Sequence, residues 1–148
     1  MRGAAADDWV LVHDAARCLV QPAWIDRLID ACLTDEVGGL LALPLADTLK
    51  QEQDGRVVAT LPRHDKWAAQ TPQAYRVPVL AEALERFKDD ADATDESQLV
   101  EKNGVKVAVV LSSYENFKIT TPEDLVMAEA ILAQRRGGAA ALPRTGFG

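Results

Sequence analysis

The sequence predicts an α/β fold with a mostly parallel sheet, and three observations lead to that prediction. Residues 9–12 are a short apolar run of strand-forming residues, typical of a strand buried on both faces of a parallel sheet. A helical pattern and a second apolar run at residues 40–45 follow, so the chain has the strand, helix, strand order of a right-handed crossover unit. Two polar runs separated by Asp-Gly then predict a β-hairpin arm that protrudes from the sheet.

Composition narrows the class of protein. A chain of 148 residues, 48% hydrophobic and 26% charged, has the size and balance of one globular domain. Its formal net charge of −7 argues against non-specific binding to nucleic acid or to an anionic membrane. Cys18 and Cys32 have neither a metal-site spacing nor a disulfide framework, and no apolar run approaches the ~20 residues of a membrane span. We therefore predict a cytoplasmic protein.

The end of the first strand is the first candidate site. Asp14 and Arg17 follow the strand directly, and ligands of open α/β sheets bind beyond the carboxyl ends of the strands. A carboxylate and a guanidinium there can hold a metal ion or a ribose hydroxyl, and a phosphate. The alternative is that Asp14 only caps the next segment and pairs with Arg17. The spacing leaves both interpretations open.

The next elements follow from periodicity and from breaker residues. Pro22 suits the first position of a helix whose apolar residues recur on one face, and Gly38-Gly39 is expected to end it. Residues 47–51 and 55–61 are the strands of the arm, which occupies about residues 46–62. Because two strands alone are marginal in water, we expect the arm to pack on something, most simply a second subunit.

The segment after the arm is expected to be irregular. Residues 71–73, Thr-Pro-Gln, predict a polar extended or turn element, since the residue before proline avoids the helical region. Trp67 and Tyr75 are interpreted as packing residues and His64 as an exposed, uninvolved histidine. An amphipathic helix is predicted over 77–88 and a β-branched strand over 105–111.

Two later threonines predict helix starts. Thr94 caps a short helix, although its hydroxyl and the neighbouring N–H groups can equally hold an anion, and Thr121 caps a helix whose first residue is Pro122. Lys118, between Phe117 and Ile119, either points outward or faces a phosphate at a strand end. Residues 1–136 are assigned to one domain and 137–148 to a disordered tail.

Five motifs in order resemble one enzyme family. Residues 8–134 are similar to 2-C-methyl-D-erythritol 4-phosphate cytidylyltransferases, which act in non-mevalonate isoprenoid biosynthesis. The motifs that carry the resemblance are Val12-His13-Asp14-Ala15-Ala16-Arg17, Pro44-Leu45-Ala46-Asp47-Thr48-Leu49-Lys50, Thr71-Pro72-Gln73, Ala93-Thr94-Asp95-Glu96-Ser97 and Asn116-Phe117-Lys118-Ile119-Thr120-Thr121-Pro122-Glu123-Asp124-Leu125.

The resemblance implies a fold and a reaction. The fold is the Rossmann-like fold of nucleotide-diphospho-sugar transferases, here incomplete. The reaction is Mg²⁺-dependent transfer of a cytidylyl group from CTP to methylerythritol phosphate, with release of pyrophosphate. Since phosphoryl-type transfer depends chiefly on positioning and charge neutralisation, cationic side chains are expected at the site.

The resemblance also implies roles for individual residues. Arg63 and Lys118 would grip the acceptor phosphate as catalytic residues, and Asp14 would lie at the substrate and metal edge. The implied contacts to the acceptor come from Asp14, Arg17, Thr48, Thr71 and Thr94. The family's arm exchanges between the subunits of a homodimer, so Thr48 and Arg63 would complete the partner's site.

Two departures from the family pattern accompany these expectations. Cys18 replaces the usual proline after Arg17, and the family's glycine-rich CTP-binding loop has no counterpart here, so we expect a chain that is truncated and inactive alone. The alternatives are a ribitol-5-phosphate cytidylyltransferase, a general sugar-nucleotide transferase, and a non-catalytic dimerisation or binding module derived from such an enzyme.

Overall fold

A computed structural model describes residues 3–89 and 96–137. Within them the chain forms six strands, four α-helices and one 3₁₀ turn, Tyr114–Asn116. The strands are β1 Trp9–Val12, β2 Gly38–Pro44, β3 Leu49–Gln53, β4 Arg56–Leu61, β5 Trp67–Arg76 and β6 Ala108–Leu111. The helices are α1 Pro22–Cys32, α2 Val77–Arg86, α3 Glu96–Lys102 and α4 Pro122–Gly137.

Four strands form the central sheet, in the order β1-β5-β2-β6. β5 runs antiparallel to both β1 and β2, whereas β2 and β6 are parallel. β1, β2 and β6 therefore share one direction, and the predicted α/β class is confirmed. The sheet, predicted as mostly parallel, is mixed: three of its four strands share one direction, but two of its three pairings are antiparallel because β5 lies between β1 and β2.

Helices cover both faces of the sheet. Successive residues of a strand point to opposite faces, and on β5 Ala74 joins the cluster beneath α1 while Tyr75 joins the cluster beneath α2 and α3. The first cluster includes Trp24 and Leu28 of α1. The described residues thus form an α/β/α sandwich, in which the loops lie at the ends of the strands.

β5 is the strand that the sequence analysis missed. Its Thr71-Pro72-Gln73 segment was expected to be an irregular polar element, but it lies inside a ten-residue central strand. The strand accommodates Pro72 at an irregularity: Leu40 pairs with Gln73 and Ala42 with Ala69, so residues 70–72 face the single residue between them. Proline lacks the N–H of a regular ladder, which is why it is tolerated at a bulge.

The expectation that β1 is buried on both faces was wrong. β1 is half-buried, and Leu11 is 39% exposed. Among the described residues β1 pairs with β5 alone and so forms an edge of the sheet. An apolar run of four residues does not distinguish a central strand from an edge strand.

The helix from Pro22 is confirmed, with the proline in its first turn, but the glycines do not end it. α1 ends at Cys32, and Gly38 and Gly39 are the first residues of β2. Gly38 has φ +141°, and a Cβ atom there would lie 2.1 Å from the carbonyl oxygen of Ala74. Glycine is required because β2 and β5 approach closely at this point.

The predicted arm is confirmed as a separate two-stranded sheet, β3–β4. Asp54 and Gly55 both have positive φ, 52° and 74°, as a two-residue type I′ hairpin loop requires. Val57, Val58 and Leu61 of β4 are exposed. The arm therefore presents apolar side chains that the described residues do not cover.

The remaining expectations have mixed outcomes. Tyr75 is fully buried, as expected of a packing residue, whereas Trp67 is exposed. α2, β6 and α4 form where helices and a strand were predicted. No helix in residues 3–89 and 96–137 has both the length and the apolarity needed to cross a membrane. Thr94 and residues 138–148 of the predicted tail lie outside the described residues.

Candidate acceptor-binding site

The loop after β1 carries a carboxylate shared by two cations. Asp14 Oδ2 lies 3.3 Å from Arg17 Nε and 3.3 Å from Lys118 Nζ. The side chain of Arg17 is 11% exposed, that of Asp14 36% and that of Lys118 48%. The pairing of Asp14 with Arg17, one of the two interpretations of the sequence, is present, and Lys118 joins it from a segment about a hundred residues away.

Two positive charges on one carboxylate leave this group with a net charge of +1. Lys118 is the more exposed cation, so it can turn from Asp14 to an incoming anion at little cost. Arg17 is held more firmly, because its Nη1 also donates to the main-chain carbonyl oxygen of Asn116 at 2.9 Å. A guanidinium held by two partners beside a half-exposed ammonium suits a phosphate group.

Thr71 anchors the loop to the central strand. Its Oγ1 accepts a hydrogen bond from the Asp14 N–H at 2.9 Å and lies 2.9 Å from Nδ1 of His13. Because the Arg17 carbonyl oxygen can only accept, Nε2 of His13 donates to it at 3.1 Å, and in the neutral ring Nδ1 then accepts from the Thr71 hydroxyl. The hydrogen bond between His13 and Arg17 closes the loop over residues 13–17.

The position of Thr71 bears on its predicted role. The residue is only 7% exposed, and its hydroxyl already has two partners. In this arrangement Thr71 orients Asp14 rather than facing solvent, and direct contact with a substrate stays a prediction.

Lys118 reaches the site because its segment is fastened on both sides. The N–H of Ile119 donates to the Ala16 carbonyl oxygen at 2.9 Å, and Asn116 accepts from Arg17 as described. The segment is in turn anchored through Arg135 of α4, which lies 3.1 Å from Glu115 Oε2 and donates to the Leu19 carbonyl oxygen. Of its two interpretations, Lys118 fits the one that faces the site.

The two remaining predicted residues lie elsewhere, at the base of the arm. Thr48 is exposed in the residue before β3. Arg63 Nη1 donates to the Leu45 carbonyl oxygen at 2.7 Å, and the Leu45 N–H donates to the Lys66 carbonyl oxygen, which closes the base of the arm. The structure thus brings together Asp14, Arg17, Thr71 and Lys118, and it gives no contact between that group and Thr48 or Arg63.

Sequence reasoning did not identify His13, Gln70, Ser112 or Asn116 as site-forming residues. Gln70, Ser112 and Asn116 are buried polar residues that hydrogen-bond one another beneath the loop. His13 did have a signal, since it stands between a strand and Asp14. Asn116 begins the fifth motif without an assigned role, and Gln70 and Ser112 have no signal, because a buried polar residue is recognised by its surroundings rather than by its spacing in the sequence.

The chain is similar in sequence to known enzymes. Residues 2–134 match the model of the family IspD, 2-C-methyl-D-erythritol 4-phosphate cytidylyltransferase. The chain is 54% identical over 137 residues to the enzyme of that name from Laribacter hongkongensis, covering 92% of this chain and 59% of the relative. It is 56% identical to the bifunctional enzyme IspD/IspF of Albidiferax ferrireducens, covering 93% of this chain and 32% of the relative.

Solved structures agree with the sequence relatives. The crystal structure of the Francisella tularensis cytidylyltransferase superposes with a TM-score of 0.82 at 37% identity, covering 88% of this chain and 62% of that one. A 4-diphosphocytidyl-2C-methyl-D-erythritol synthase gives a TM-score of 0.79 at 40% identity, covering 87% and 59%. The chain therefore spans less than two thirds of the length of these proteins. On the match over residues 2–134 and on these structures, the chain belongs to the 2-C-methyl-D-erythritol 4-phosphate cytidylyltransferase family.

Proposed function

We propose that this chain binds 2-C-methyl-D-erythritol 4-phosphate as the acceptor in a cytidylyl transfer from CTP that yields 4-diphosphocytidyl-2-C-methyl-D-erythritol and pyrophosphate. Family membership supports the reaction. The observation that carries the acceptor role is the Asp14, Arg17 and Lys118 group, which holds two cations and one carboxylate at one edge of the sheet. A phosphate dianion would bind the cations, and the polyol hydroxyls would be donors to Asp14.

The chemistry of the transfer asks the chain mainly to position groups. An oxygen of the acceptor phosphate attacks the α-phosphorus of CTP, an O–P bond forms, and the bond to the leaving pyrophosphate breaks. Arg17 and Lys118 would hold the acceptor phosphate and reduce the repulsion between the two anions as they approach. Since the chain spans less than two thirds of its relatives' length, the proposal concerns acceptor binding first.

A Mg²⁺ ion is part of the proposal. Within the part of the chain that the structure describes, no three His, Cys, Asp or Glu side chains are grouped closely enough to hold a metal. Mg²⁺ in nucleotide-dependent enzymes is nevertheless held by one or two carboxylates together with substrate phosphates and water, and Asp14 fits as such a single carboxylate. When bound, the ion would neutralise charge on the phosphates.

We further propose a homodimer formed through the arm. Val57 and Val58 project exposed apolar side chains from a hairpin that is marginal alone, and Thr48 and Arg63 lie at its base, away from Asp14. If the arm reaches a second subunit, these two residues would complete that subunit's acceptor site. A cytoplasmic location stays a prediction from the cysteine content.

Calorimetric titration of the purified chain with methylerythritol phosphate tests the acceptor role. We expect saturable binding to the wild type that is lost in Lys118→Met. The matched control is Lys106→Met, because Lys106 is an exposed lysine with no place in the proposed site. Equal binding by all three chains would refute the role of Lys118.

A second titration, with ribitol 5-phosphate, separates the rival functions. Tighter binding of ribitol 5-phosphate than of methylerythritol phosphate would favour a ribitol-5-phosphate cytidylyltransferase. Binding of neither compound by a folded dimer would favour a non-catalytic dimerisation module.

Analytical ultracentrifugation tests the arm interface. We expect a dimer for the wild type and a monomer for Val57→Asp, and an unchanged dimer in that variant would refute the interface.

A further inference from the structure

A buried amide lies beneath the loop that carries Asp14 and Arg17. Asn116 is fully buried, and its Nδ2 lies 2.8 Å from the Thr71 carbonyl oxygen and 3.0 Å from Gln70 Oε1. Ser112 Oγ, at 3.3 Å, is a third acceptor for the same two protons. Burial of an N–H group is costly unless it is hydrogen-bonded, so these contacts fix the Nδ2 end of the side chain against β5, while the buried Oδ1 has no partner among the described residues.

The main chain of the same residue faces the charged group. The Asn116 carbonyl oxygen accepts from Arg17 Nη1, and Arg17 Nε lies 3.3 Å from Asp14 Oδ2. Asn116 therefore contacts β5 through its side chain and the guanidinium through its backbone. Each contact joins segments that are far apart in the sequence, since Thr71 precedes Asn116 by 45 residues and Arg17 precedes it by 99.

From these contacts we propose that Asn116 is a positioning residue for acceptor binding, a role that rests on the proposed function. Its amide holds the 3₁₀ turn against β5, and this places its carbonyl oxygen where the Arg17 guanidinium must point. Arg17 is thus ordered before a phosphate arrives. A guanidinium that is already fixed loses less conformational freedom on binding, and the saving appears as affinity.

The substitution Asn116→Ala tests this role. It leaves the Thr71 carbonyl oxygen without the amide and frees the turn, and we expect methylerythritol phosphate to bind on the order of tenfold more weakly, as is usual when the support of a ligand-binding side chain is removed. Asn103→Ala is the matched control. It also removes a hydrogen-bonded side-chain amide, but one that lies at the α2–α3 pair, where the Asn103 amide oxygen accepts from Arg86.

A double-mutant cycle separates positioning from general destabilisation. If Asn116 acts through Arg17, then Asn116→Ala should weaken binding less than about threefold in an Arg17→Gln background, because the group it positions is gone. An equal loss in both backgrounds would overturn the proposal. All titrations are made well below the unfolding midpoint of each variant, measured by circular dichroism.

A spectroscopic readout decides the matter without any substrate. The Arg17 Nε–H signal in ¹H–¹⁵N NMR spectra should shift and exchange faster with solvent in Asn116→Ala, and should be unchanged in Asn103→Ala. An unchanged signal in Asn116→Ala overturns the positioning role even if the wild type binds the acceptor. Conversely, if the wild type does not bind methylerythritol phosphate but Asn116→Ala shows the expected shift, the acceptor proposal is refuted and the positioning of Arg17 stands. If Asn116→Ala does not fold, Asn116→Ser, which retains a short polar side chain, is measured in the same way.

Discussion

Replacing Asp14 by asparagine should change stability and phosphate binding in opposite directions. The carboxylate stabilises the fold because it neutralises Arg17 and Lys118, each 3.3 Å away. It opposes phosphate binding because it occupies the same two cations and repels the anion. Asp14→Asn keeps the shape of the side chain and an oxygen for Arg17 Nε, so the change is mainly one of charge.

The loss of stability follows from exposure. Two unit charges about 4 Å apart interact by about 1 kcal/mol in water and about 4 kcal/mol at an effective dielectric constant near 20. Lys118 is 48% exposed, so its pair with Asp14 lies near the value for exposed pairs, at most about 1 kcal/mol. Arg17 is 11% exposed and contributes more. We expect a total loss of about 1–2 kcal/mol in the free energy of unfolding.

The gain in phosphate affinity has the same origin. Removing one negative charge raises the net charge of the group from +1 to +2, two cations without their carboxylate. Inorganic phosphate should then bind roughly five- to tenfold more tightly at low ionic strength, and the gain should shrink as salt screens it. Methylerythritol phosphate should gain less, because its hydroxyls lose Asp14 as an acceptor.

Urea unfolding and NMR titration with inorganic phosphate measure the two effects. Asp65→Asn is the control, since it removes a carboxylate from an exposed pair, 3.0 Å from Lys66 Nζ, outside the site. Phosphate affinity that falls, or stays the same, in Asp14→Asn would refute the assignment of Arg17 and Lys118 as the phosphate-binding cations.

Three further predictions concern the fold. Burial, and after it the nearby Asp35 charge, raises the pKa of the Cys32 thiol to about 11, so only roughly one such thiol in a thousand is ionised at pH 8. A thiol titration of the native chain should therefore detect exposed Cys18 alone, and two fast-reacting thiols would contradict this. Gly38→Ala should lower the free energy of unfolding by more than about 3 kcal/mol, because the added Cβ would meet a backbone carbonyl. Gly55→Ala, where a Cβ meets nothing within 4 Å, should lower it by about 1 kcal/mol, and similar urea midpoints for the two variants would contradict this. Backbone hydrogen bonds from the two threonines that precede α4 lower the pKa of Asp124. The charged carboxylate therefore stabilises the fold above its unfolded-state pKa, and this stabilisation is lost as the pH falls through the lower folded-state pKa. Asp124→Asn should flatten the fall in stability below about pH 4, and an unaltered acid profile would contradict this.

The elements that could be predicted are those whose sequence carries a period or a breaker. α1 follows from apolar spacing after Pro22, and the arm from Asp54-Gly55, whose positive φ values a hairpin loop requires. Their exact contacts could not be predicted. Ile29 of α1 and Leu33, which follows its last residue, continue the apolar spacing of the helix but are exposed, because the described sheet covers only part of that face.

The candidate site was predictable in its charged members and not in their support. Asp14, Arg17 and Lys118 carry chemistry that a motif records, and the structure brings them together. Gln70 and Asn116 were missed because they act through burial. A polar residue in a loop-like stretch gives no sign that a strand and a helix will enclose it.

The pairing register of β5 places the residues of the candidate site close together. Val12, the last residue of β1, pairs with Gln73, so the loop after β1 lies beside the first half of β5. Ala42 pairs with Ala69 of β5 on one side and with Leu111, the last residue of β6, on the other. The carboxyl ends of β1 and β6 thus lie near the irregular residues 70–72 of β5, which face the middle of β2.

The feature that concealed β5 in the sequence is therefore the one that builds the site. Pro72 cannot continue a regular ladder, and the bulge that accommodates it leaves residues 70–72 facing a single residue of β2. The Thr71 carbonyl oxygen there accepts from the amide of Asn116, and the Thr71 hydroxyl accepts from the Asp14 N–H of the loop after β1. A regular apolar strand would have been easy to predict, and it would have had no free polar groups with which to hold the two charged segments.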